Sequence, residues 1–443
     1  MKKVLVLGAG KSGVAAAKLA RRLGNDVILT ESKAAFQFEN LISELTALGI
    51  DCKFGENKLN LLEDCELIIT SPGVPPDAEI LLSASKQNIE IISELEYASQ
   101  FLQNPIIAIT GTNGKTTTTS LIEFILNNSG KKAIACGNIG LPMSELVDNV
   151  EKSTILVVES SSYQLDRIKN FKPDVALILN ITPDHLKYHG TMEAYVESKW
   201  KITLNQNENN LLILNRDDEI LWKNILGTNA KIAFVSMSSV DRGIYPRDGI
   251  ILINAADKEE VLMPVADLGL PGIHNAYNSM AAALAVRAFE LSNEDIRDGL
   301  SKFKGVEHRL EFVRSINGID FINDSKATNV NATWYALQAY KEPIIWIAGG
   351  RADDNNYSVL DGVVESNVKS IILLGEESDN IFNHFCTSKR CIKVKDLNEA
   401  VAVAMEEAGN GDKVVFTPSC KSFDMFMNFE HRGEVFKKIV SQI

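Results

Sequence analysis

The chain has 443 residues, of which 45% are hydrophobic, and its formal net charge at pH 7 is -13. This length exceeds one ordinary hydrophobic core and predicts two or three domains, and no apolar run is long enough to span a membrane. The acidic balance disfavours nonspecific binding to nucleic acids or anionic membranes. The six cysteines include no C-x-x-C pair, so we expect reduced thiols, a cytoplasmic protein and no zinc knuckle.

Short apolar strands at residues 4–7, 27–30, 67–70 and 89–92 alternate with helical stretches, which predicts a parallel βαβ domain. Residues 8–13 match G-x-G-x-x-G after the first strand, and Glu31 ends the second. The pattern is typical of NAD binding. The motif itself, however, only allows a diphosphate to approach a glycine turn closely, and a nucleotide-linked substrate also carries a diphosphate. We therefore prefer binding of such a substrate over binding of NAD or a purely structural turn. Residues 71–74 follow a later strand and are either a ligand contact or a buried turn.

A phosphate-binding loop is indicated at residues 110–117, Thr-Gly-Thr-Asn-Gly-Lys-Thr-Thr, after a predicted linker at 98–104 and an apolar strand at 106–109. The two glycines let successive N–H groups point inward, and phosphate would sit at the N-terminus of the following helix. Lys115 would reach the outer phosphates and the Thr116 hydroxyl would bind Mg²⁺, as in a Walker A loop. This loop is shorter than the common pattern, and the alternative is a tight turn with an incidental lysine.

The strands predicted after this loop lie at residues 132–136, 155–159, 175–180 and 211–215 and alternate with helices, so we expect a second parallel sheet. Glu159 ends one strand and His185 follows another, which would bring both side chains to one edge as metal ligands. Either residue alone could be an ordinary surface group. Composition predicts that Lys199 and Lys201 are solvated. Asn275, before an alanine-rich helix, is either an N-cap or a base-recognition amide.

Residues 303–443 form a third predicted doubly wound unit, with strands at 319–323, 344–348, 371–374 and 414–417. A glycine-containing hinge leads into it beside Arg309, which is either a surface charge or a phosphate clamp. Residues 323–329, Asn-Asp-Ser-Lys-Ala-Thr-Asn, follow one strand and cap a helix, and residues 417–424 follow the last strand. We expect Lys326 and Thr328 to face an interdomain cleft. The alternative in both places is a turn with an N-cap.

Together these motifs resemble the Mur ligases of peptidoglycan synthesis, and the match covers the whole chain. The segments that carry it are residues 110–117, 137–140, 159–161, 180–185, 274–275, 308–309, 323–329 and 428–433. Folylpolyglutamate synthases share the phosphate loop but lack the Asp-Ser-Lys-Ala-Thr-Asn segment. The resemblance implies an α/β fold of three domains, each with a mostly parallel doubly wound sheet. These are a Rossmann-like UDP-sugar domain (1–100), a central P-loop ATP domain (101–302) and a Rossmann-like domain (303–443) that closes over ATP and D-glutamate.

The implied reaction is ATP-dependent amide formation between D-glutamate and UDP-N-acetylmuramoyl-L-alanine through an acyl phosphate and a tetrahedral intermediate. The implied cofactors are ATP, Mg²⁺, with two ions expected, and a carbamylated Lys199, in a monomer that binds neither nucleic acid nor membrane. Another Mur-type or folylpolyglutamate-type ligase is the alternative. Two rival classes are a Rossmann dehydrogenase, which leaves the phosphate loop unused, and a P-loop switch or transport ATPase, which needs no amino acid.

The resemblance also implies roles for individual residues. The expected catalytic residues are Lys115, Glu159, His185, Lys199 and Lys326, and the expected metal ligands are Thr116, Glu159, His185 and Lys199 as a carbamate. ATP is assigned to Gly111, Thr112, Asn113, Gly114, Lys115, Thr116, Thr117, Asn278, Arg309 and Asp324. The UDP-sugar is assigned to Gly10, Lys11, Ser12, Glu31, Ser32, Lys33, Ser71, Gly73 and Asn138. D-Glutamate is assigned to Lys326, Thr328, Arg351, Ser422 and Phe423.

Two departures from the family pattern stand out. Glu31-Ser32-Lys33 only approximates the usual Asp-Thr-Arg of the family. Asp353 stands where the family commonly has a lysine near D-glutamate. Because a desolvated carboxylate needs a cation, we expect Arg351 to replace this lysine, with Lys421 as the alternative.

Overall fold

The structure is a computed structural model that describes residues 2–55, 57–223, 227–255, 258–351 and 355–443. Its strands are β1 (Lys3–Leu7), β2 (Asp26–Glu31), β3 (Asp51–Phe54), β4 (Leu67–Thr70), β5 (Glu90–Ser93), β6 (Ile106–Thr110), β7 (Ala133–Gly137), β8 (Ile155–Glu159), β9 (Val175–Ile178), β10 (Leu211–Asn215), β11 (Lys231–Val235), β12 (Arg242–Arg247), β13 (Ile250–Ala255), β14 (Glu259–Pro264), β15 (Glu311–Ile316), β16 (Ile319–Asn323), β17 (Ile344–Gly349), β18 (Val368–Leu374), β19 (Arg390–Lys393) and β20 (Lys413–Phe416).

The α-helices are α1 (Lys11–Arg22), α2 (Glu39–Ala47), α3 (Glu79–Lys86), α4 (Glu94–Ser99), α5 (Lys115–Asn128), α6 (Met143–Leu146), α7 (Ser162–Leu165), α8 (Leu186–His189), α9 (Met192–Trp200), α10 (Glu219–Lys223), α11 (Ile273–Arg287), α12 (Asn293–Lys302), α13 (Val330–Gln338), α14 (Asp361–Asn367), α15 (Ser378–Phe385), α16 (Leu397–Glu407) and α17 (Phe429–Ser441). Within the described ranges no helix is both long and apolar enough to cross a membrane. The six cysteines are all free, as expected.

The first sheet is parallel throughout, in the order β3-β2-β1-β4-β5. This confirms the βαβ prediction. Its middle strand β1 is a continuous apolar run because helices cover both of its faces. The edge strand β3 was not predicted, and its residues are half-buried or exposed.

The second sheet has the order β14-β13-β12-β11-β10-β9-β6-β8-β7. The prediction of a parallel sheet holds from β7 to the β11–β12 pair, but it is wrong for the hairpins that join β12 to β13 and β13 to β14, which are antiparallel.

Helix α4 covers residues 98 and 99, so the predicted linker is partly helical. Glu96 of this helix is buried, and its carboxylate accepts hydrogen bonds from the backbone N–H groups of residues 169–171 at 2.9–3.1 Å.

The third sheet has the order β15-β16-β20-β17-β18-β19, in which only the pair β15–β16 is antiparallel among the described strands. The molecule is therefore an α/β protein with three mostly parallel sheets, as expected. Its chain forms two compact units, residues 1–268 with 277–302 and residues 269–276 with 303–443. The first two sheets belong to one unit because a single hydrophobic cluster includes side chains from both. The boundaries at residues 100 and 302 stay predictions.

Candidate active site

The phosphate loop joins the buried strand β6 to helix α5, as the sequence predicts. Gly114 is the N-cap of α5 and has a left-handed φ of 86°. A Cβ atom at this position would lie 2.4 Å from the side-chain oxygen of Asn278. Both the backbone conformation and the close approach therefore require glycine, and Asn278 lies directly against the loop.

Asn180, just beyond β9, holds the other side of the loop. Its carbonyl accepts from the Thr112 N–H at 2.9 Å, and its amide pairs with the backbone of Asn113 in both directions, at 2.8 and 2.9 Å. This role of Asn180 was not predicted. The role could have been predicted from a polar side chain at the end of the strand next to β6, because neighbouring parallel strands end at the same edge of the sheet.

Two lysines converge on one carbonyl oxygen of this loop. Lys115 Nζ lies 2.8 Å and Lys199 Nζ lies 2.9 Å from the Gly111 oxygen. Lys199 is only 1% exposed, so the composition-based prediction of a solvated lysine was wrong. Burial, and then the charge of Lys115, hold the pKa of Lys199 well below its usual value. Its ammonium therefore gives up a proton more readily than that of a solvated lysine.

Lys201, two residues further on, is in a different environment. It is half-buried and pairs with the Asp166 carboxylate at 2.7 Å. Two lysines of similar sequence context thus differ in burial and in partner.

Thr116 and Glu159 come together beside the loop. The Thr116 hydroxyl donates to Glu159 Oε2 at 2.7 Å, and the Asn138 amide donates to Glu159 Oε1 at 2.9 Å. Both Thr116 and Glu159 are buried, and the neighbouring Thr117 hydroxyl is buried without a hydrogen-bond partner. Hydroxyl and carboxylate oxygens are ligands that suit Mg²⁺.

His185 is connected to this site through aromatic rings. Its ring lies 6.3 Å from that of Tyr195, whose hydroxyl is 3.0 Å from Thr112 and whose ring lies 4.6 Å from Lys199 Nζ. Over the described part of the chain, no group of three or more His, Cys, Asp and Glu side chains could hold a metal ion. A metal here would therefore need ligands of another kind beside Glu159 and His185.

The glycine loop of the first sheet is closed by Glu31. Its carboxylate accepts from Ala9 N at 3.0 Å and from Lys33 N at 3.1 Å. Partial burial acts to raise the pKa of Glu31, but these hydrogen bonds outweigh it and leave that pKa below its usual value. A Cβ atom on Gly13 would lie 1.9 Å from the Gly8 oxygen, so the final glycine of the motif is required by packing.

The other residues assigned to the UDP-sugar differ in exposure. Ser71 is half-buried and its hydroxyl donates to the Gly8 carbonyl at 3.3 Å. Ser12 is also half-buried. The exposed members of the set are Gly10, Lys11, Ser32, Lys33, Gly73 and Asn138.

In the second unit, three strands end at one edge of the sheet. Asn323 of β16 and Ile347 of β17 both pair with Phe416 of the central strand β20. The loops that carry Asp324, Lys326 and Thr328, Arg351, and Ser422 and Phe423 leave from this edge. Asn329 caps α13 through Ala332 N at 2.8 Å, as predicted.

Asp324 is buried at this edge. Its carboxylate accepts from Leu310 N at 3.1 Å and from the Thr417 hydroxyl at 3.0 Å. Burial raises the pKa of Asp324 to about 7, against the opposing charge of Arg309.

Arg432 is a buried cation whose role was not predicted. It is 2% exposed and donates to the Ser325 hydroxyl, the Ser325 carbonyl and the Cys420 carbonyl at 3.0, 2.8 and 3.0 Å. It thereby ties together the loops that carry Lys326 and Ser422. Residues 428–433 contributed to the family resemblance, but no role was predicted for Arg432 itself. An arginine inside a helix that follows these loops is the sequence feature from which the role could have been predicted.

The remaining predicted contacts with D-glutamate lie on these loops. Lys326 Nζ is 5.3 Å from the Phe429 ring, Ser422 is buried, and Phe423 is 59% exposed. Arg351 forms an antiparallel bridge with Lys421 through an N–H bond of 2.9 Å. Asp353 lies outside the described residues.

The interpretation of Asn275 as an N-cap is wrong. Asn275 lies inside α11, is 5% exposed and donates its amide N–H to the Pro271 carbonyl at 2.8 Å. The helix begins earlier than the alanine-rich run because Asn275 and its neighbours already have helical hydrogen bonds to Gly272.

Three family models match along the chain. They are the Mur ligase MurD-like N-terminal domain at residues 2–93, the Mur ligase middle domain at 109–286 and the Mur ligase glutamate ligase domain at 308–420. Curated relatives match over the full length. A protein of Thermoanaerobacter pseudethanolicus is 40% identical over 452 residues, spanning 100% of this chain and 98% of the relative. The chain belongs to the Mur ligase family.

The named relatives of this Mur ligase agree with one another. The Thermoanaerobacter protein and one of Clostridioides difficile, 40% identical and spanning 100% of this chain and 99% of that relative, are both called UDP-N-acetylmuramoylalanine--D-glutamate ligase. Solved structures support the Mur ligase fold. MurF from Acinetobacter baumannii matches with a TM-score of 0.62 at 17% identity, covering 98% of this chain and 93% of that one. A pseudomurein peptide ligase type C from Methanothermus fervidus matches with a TM-score of 0.60 at 20% identity, covering 100% of both chains.

Proposed function

We propose that this chain is an ATP-dependent ligase that joins D-glutamate to UDP-N-acetylmuramoyl-L-alanine, a cytoplasmic step in making peptidoglycan precursors. The observation that carries the proposal is full-length identity of about 40% to relatives that bear this enzyme's name. The chain acts as a monomer that binds neither membranes nor nucleic acids.

The reaction has two steps. The L-alanine carboxylate attacks the γ-phosphorus of ATP, which gives an acyl phosphate and ADP. The amine of D-glutamate then attacks the acyl carbonyl, and phosphate leaves from the tetrahedral intermediate as the amine loses a proton. Because all the reactants are anionic, catalysis depends mainly on cations and N–H donors that offset the charge of the transferring group.

The phosphate loop and its neighbours bind ATP. Lys115, which bonds loop carbonyls in this structure, exchanges them for phosphate oxygens when the nucleotide binds. The buried Thr116–Glu159 pair supports this placement, because a hydroxyl and a carboxylate in contact form the start of an Mg²⁺ site. The full set we assign to ATP is Gly111, Thr112, Asn113, Gly114, Lys115, Thr116, Thr117, Asn278, Arg309 and Asp324.

Thr116, Glu159, His185 and Lys199 would hold two Mg²⁺ ions, with Lys199 as a carbamate. A neutral amine can add to CO₂ and release a proton, which leaves an anionic carbamate in place of the amine. The lowered pKa of the buried Lys199 supports this step. These ions would supply positive charge against the phosphates.

The two other substrates are assigned to the loops at the remaining strand ends. For the UDP-sugar these residues are Gly10, Lys11, Ser12, Glu31, Ser32, Lys33, Ser71, Gly73 and Asn138. For D-glutamate they are Lys326, Thr328, Arg351, Ser422 and Phe423. Arg432, which joins two of the D-glutamate loops, positions them.

A phosphate-release assay with each amino acid and sugar nucleotide in turn tests the proposal. We expect release of phosphate from ATP only when UDP-N-acetylmuramoyl-L-alanine and D-glutamate are both present, with L-glutamate as the matched control. Phosphate release without an amino acid would indicate a switch or transport ATPase. Release with a folate substrate would indicate a folylpolyglutamate-type ligase, and a requirement for NAD would indicate a dehydrogenase.

The cation that binds a carboxylate of D-glutamate gives a separate prediction. Arg351 and Lys421 pair in an antiparallel bridge, which places two basic side chains side by side, next to Ser422. The planar guanidinium of Arg351 can hold a carboxylate through two hydrogen bonds. We expect Arg351→Ala to raise the KM for D-glutamate at least about tenfold, or roughly 1.4 kcal/mol, with little change in the KM for ATP or the UDP-sugar.

Lys421→Ala is the matched control for this prediction. An unchanged KM for D-glutamate in Arg351→Ala, together with a raised one in Lys421→Ala, would assign the role to Lys421. Steady-state kinetics with each substrate varied in turn distinguishes these results.

A further inference from the structure

Two adjacent carboxylates follow strand β10 and hold the surroundings of the phosphate loop. Asp218 accepts from Ile181 N at 2.8 Å and from Leu221 N at 3.0 Å. Ile181 comes directly after Asn180, the residue that clamps the phosphate loop. Asp218 therefore fixes that segment from the side of β10.

Asp217 fixes a different element. Its carboxylate accepts from the Ser236 hydroxyl and from Met237 N, both at 2.7 Å, just beyond β11. It also accepts from the Tyr277 hydroxyl at 2.6 Å. A carboxylate anchored at the ends of two neighbouring strands thus holds helix α11 through one tyrosine.

The residue after Tyr277 is Asn278, which lies against the phosphate loop. Asn278 is 5% exposed, and its side-chain oxygen would be 2.4 Å from a Cβ atom on Gly114. A hydrogen bond that fixes Tyr277 on its helix also limits the rotation and translation of the adjacent residue. A small shift there matters because an interaction with a ligand depends on its geometry to within a fraction of an ångström.

We propose that Tyr277 is a positioning residue for the nucleotide: anchored by Asp217, it sets the place of Asn278 against the phosphate loop and so determines the affinity for ATP. This rests on the proposed role of Asn278 at ATP. Tyr277 itself need not touch the nucleotide. Its effect on ATP affinity is exerted through Asn278, so the effect should become smaller when Asn278 is replaced.

The test is a double-mutant cycle on the full-length protein, with ATP affinity measured by calorimetric titration in the presence of MgCl₂ and without the other substrates. We expect Tyr277→Phe, which removes only the hydroxyl, to weaken ATP binding about fivefold to tenfold. In an Asn278→Ala background the same change should weaken it less than about twofold. The KM for D-glutamate should not change.

Tyr245→Phe is the matched control, because Tyr245 also donates its hydroxyl to a carboxylate, that of Glu259, but on strand β12, away from the phosphate loop. It should leave ATP affinity unchanged. Unchanged affinity in Tyr277→Phe, equal losses in both backgrounds, or an equal loss in Tyr245→Phe would each overturn the inference. A wild-type protein that does not bind ATP would instead overturn the proposed nucleotide site.

Discussion

Lys115→Ala is expected to lower the turnover number by about 10³ to 10⁵, the range that a cation stabilising a transferred phosphoryl group contributes in other enzymes. The side chain starts at the first residue of α5, and its ammonium already lies within 2.8 Å of two loop carbonyls. It therefore needs little rearrangement to reach a phosphate in the same loop. Steady-state phosphate release, with both other substrates saturating, measures the effect.

The fold should survive this change, because Lys115 is only half-buried and its Cβ stays in place. A thermal unfolding midpoint close to that of the wild type would confirm that the loss is catalytic. Lys131→Ala, at an exposed lysine beyond the end of the same helix, is the control for removing one positive charge. A Lys115→Ala variant that kept more than about a tenth of the wild-type rate would contradict the assigned role.

Lys199→Ala should abolish most activity if Lys199 works as a carbamate, and short carboxylic acids should partly restore it. The side chain is buried, so truncation leaves a space in which formate or acetate can supply the missing carboxylate. Activity is measured across a series of acids of increasing length, and rescue should fall as the acid outgrows the space. Supplying ¹³C-labelled bicarbonate to the wild type should give a carbamate signal in the ¹³C NMR spectrum, which Lys199→Ala should lack.

Lys201→Ala is the matched control, because Lys201 belongs to the same segment but pairs with Asp166. It should neither lose most of the activity nor respond to added acids. Equal effects at both positions would indicate that Lys199 contributes ordinary charge. Loss of activity in Lys199→Ala with neither rescue nor a carbamate signal in the wild type would contradict the modification.

The local sequence pattern was sufficient to predict the strands that form the centre of each sheet. Residues 106–110 are a continuous run of Ile, Ala and Thr, and the strand is buried on both faces, so its sequence carries the signal without reference to the rest of the chain. The edge strands β3, β15 and β19, the strand β11 and the hairpin strands β12 to β14 were missed. No residue of β3, β15 or β19 is buried, and the buried runs of β11 to β14 are at most three residues long; such short segments resemble loops until they pair with a neighbour.

The sequence by itself determined the phosphate loop, the strand ends that carry Glu159 and His185, and the Asp324–Asn329 turn, because each depends on glycines, caps or apolar runs within a few residues. Only the tertiary structure decided that Lys199 is buried on the Gly111 carbonyl while Lys201 is not, that Asn180 clamps the phosphate loop, and that Arg432 joins two loops of the second unit. Each of these depends on a partner tens of residues away, or at the end of another strand. Burial and pKa follow from such partners, so composition alone could not assign them.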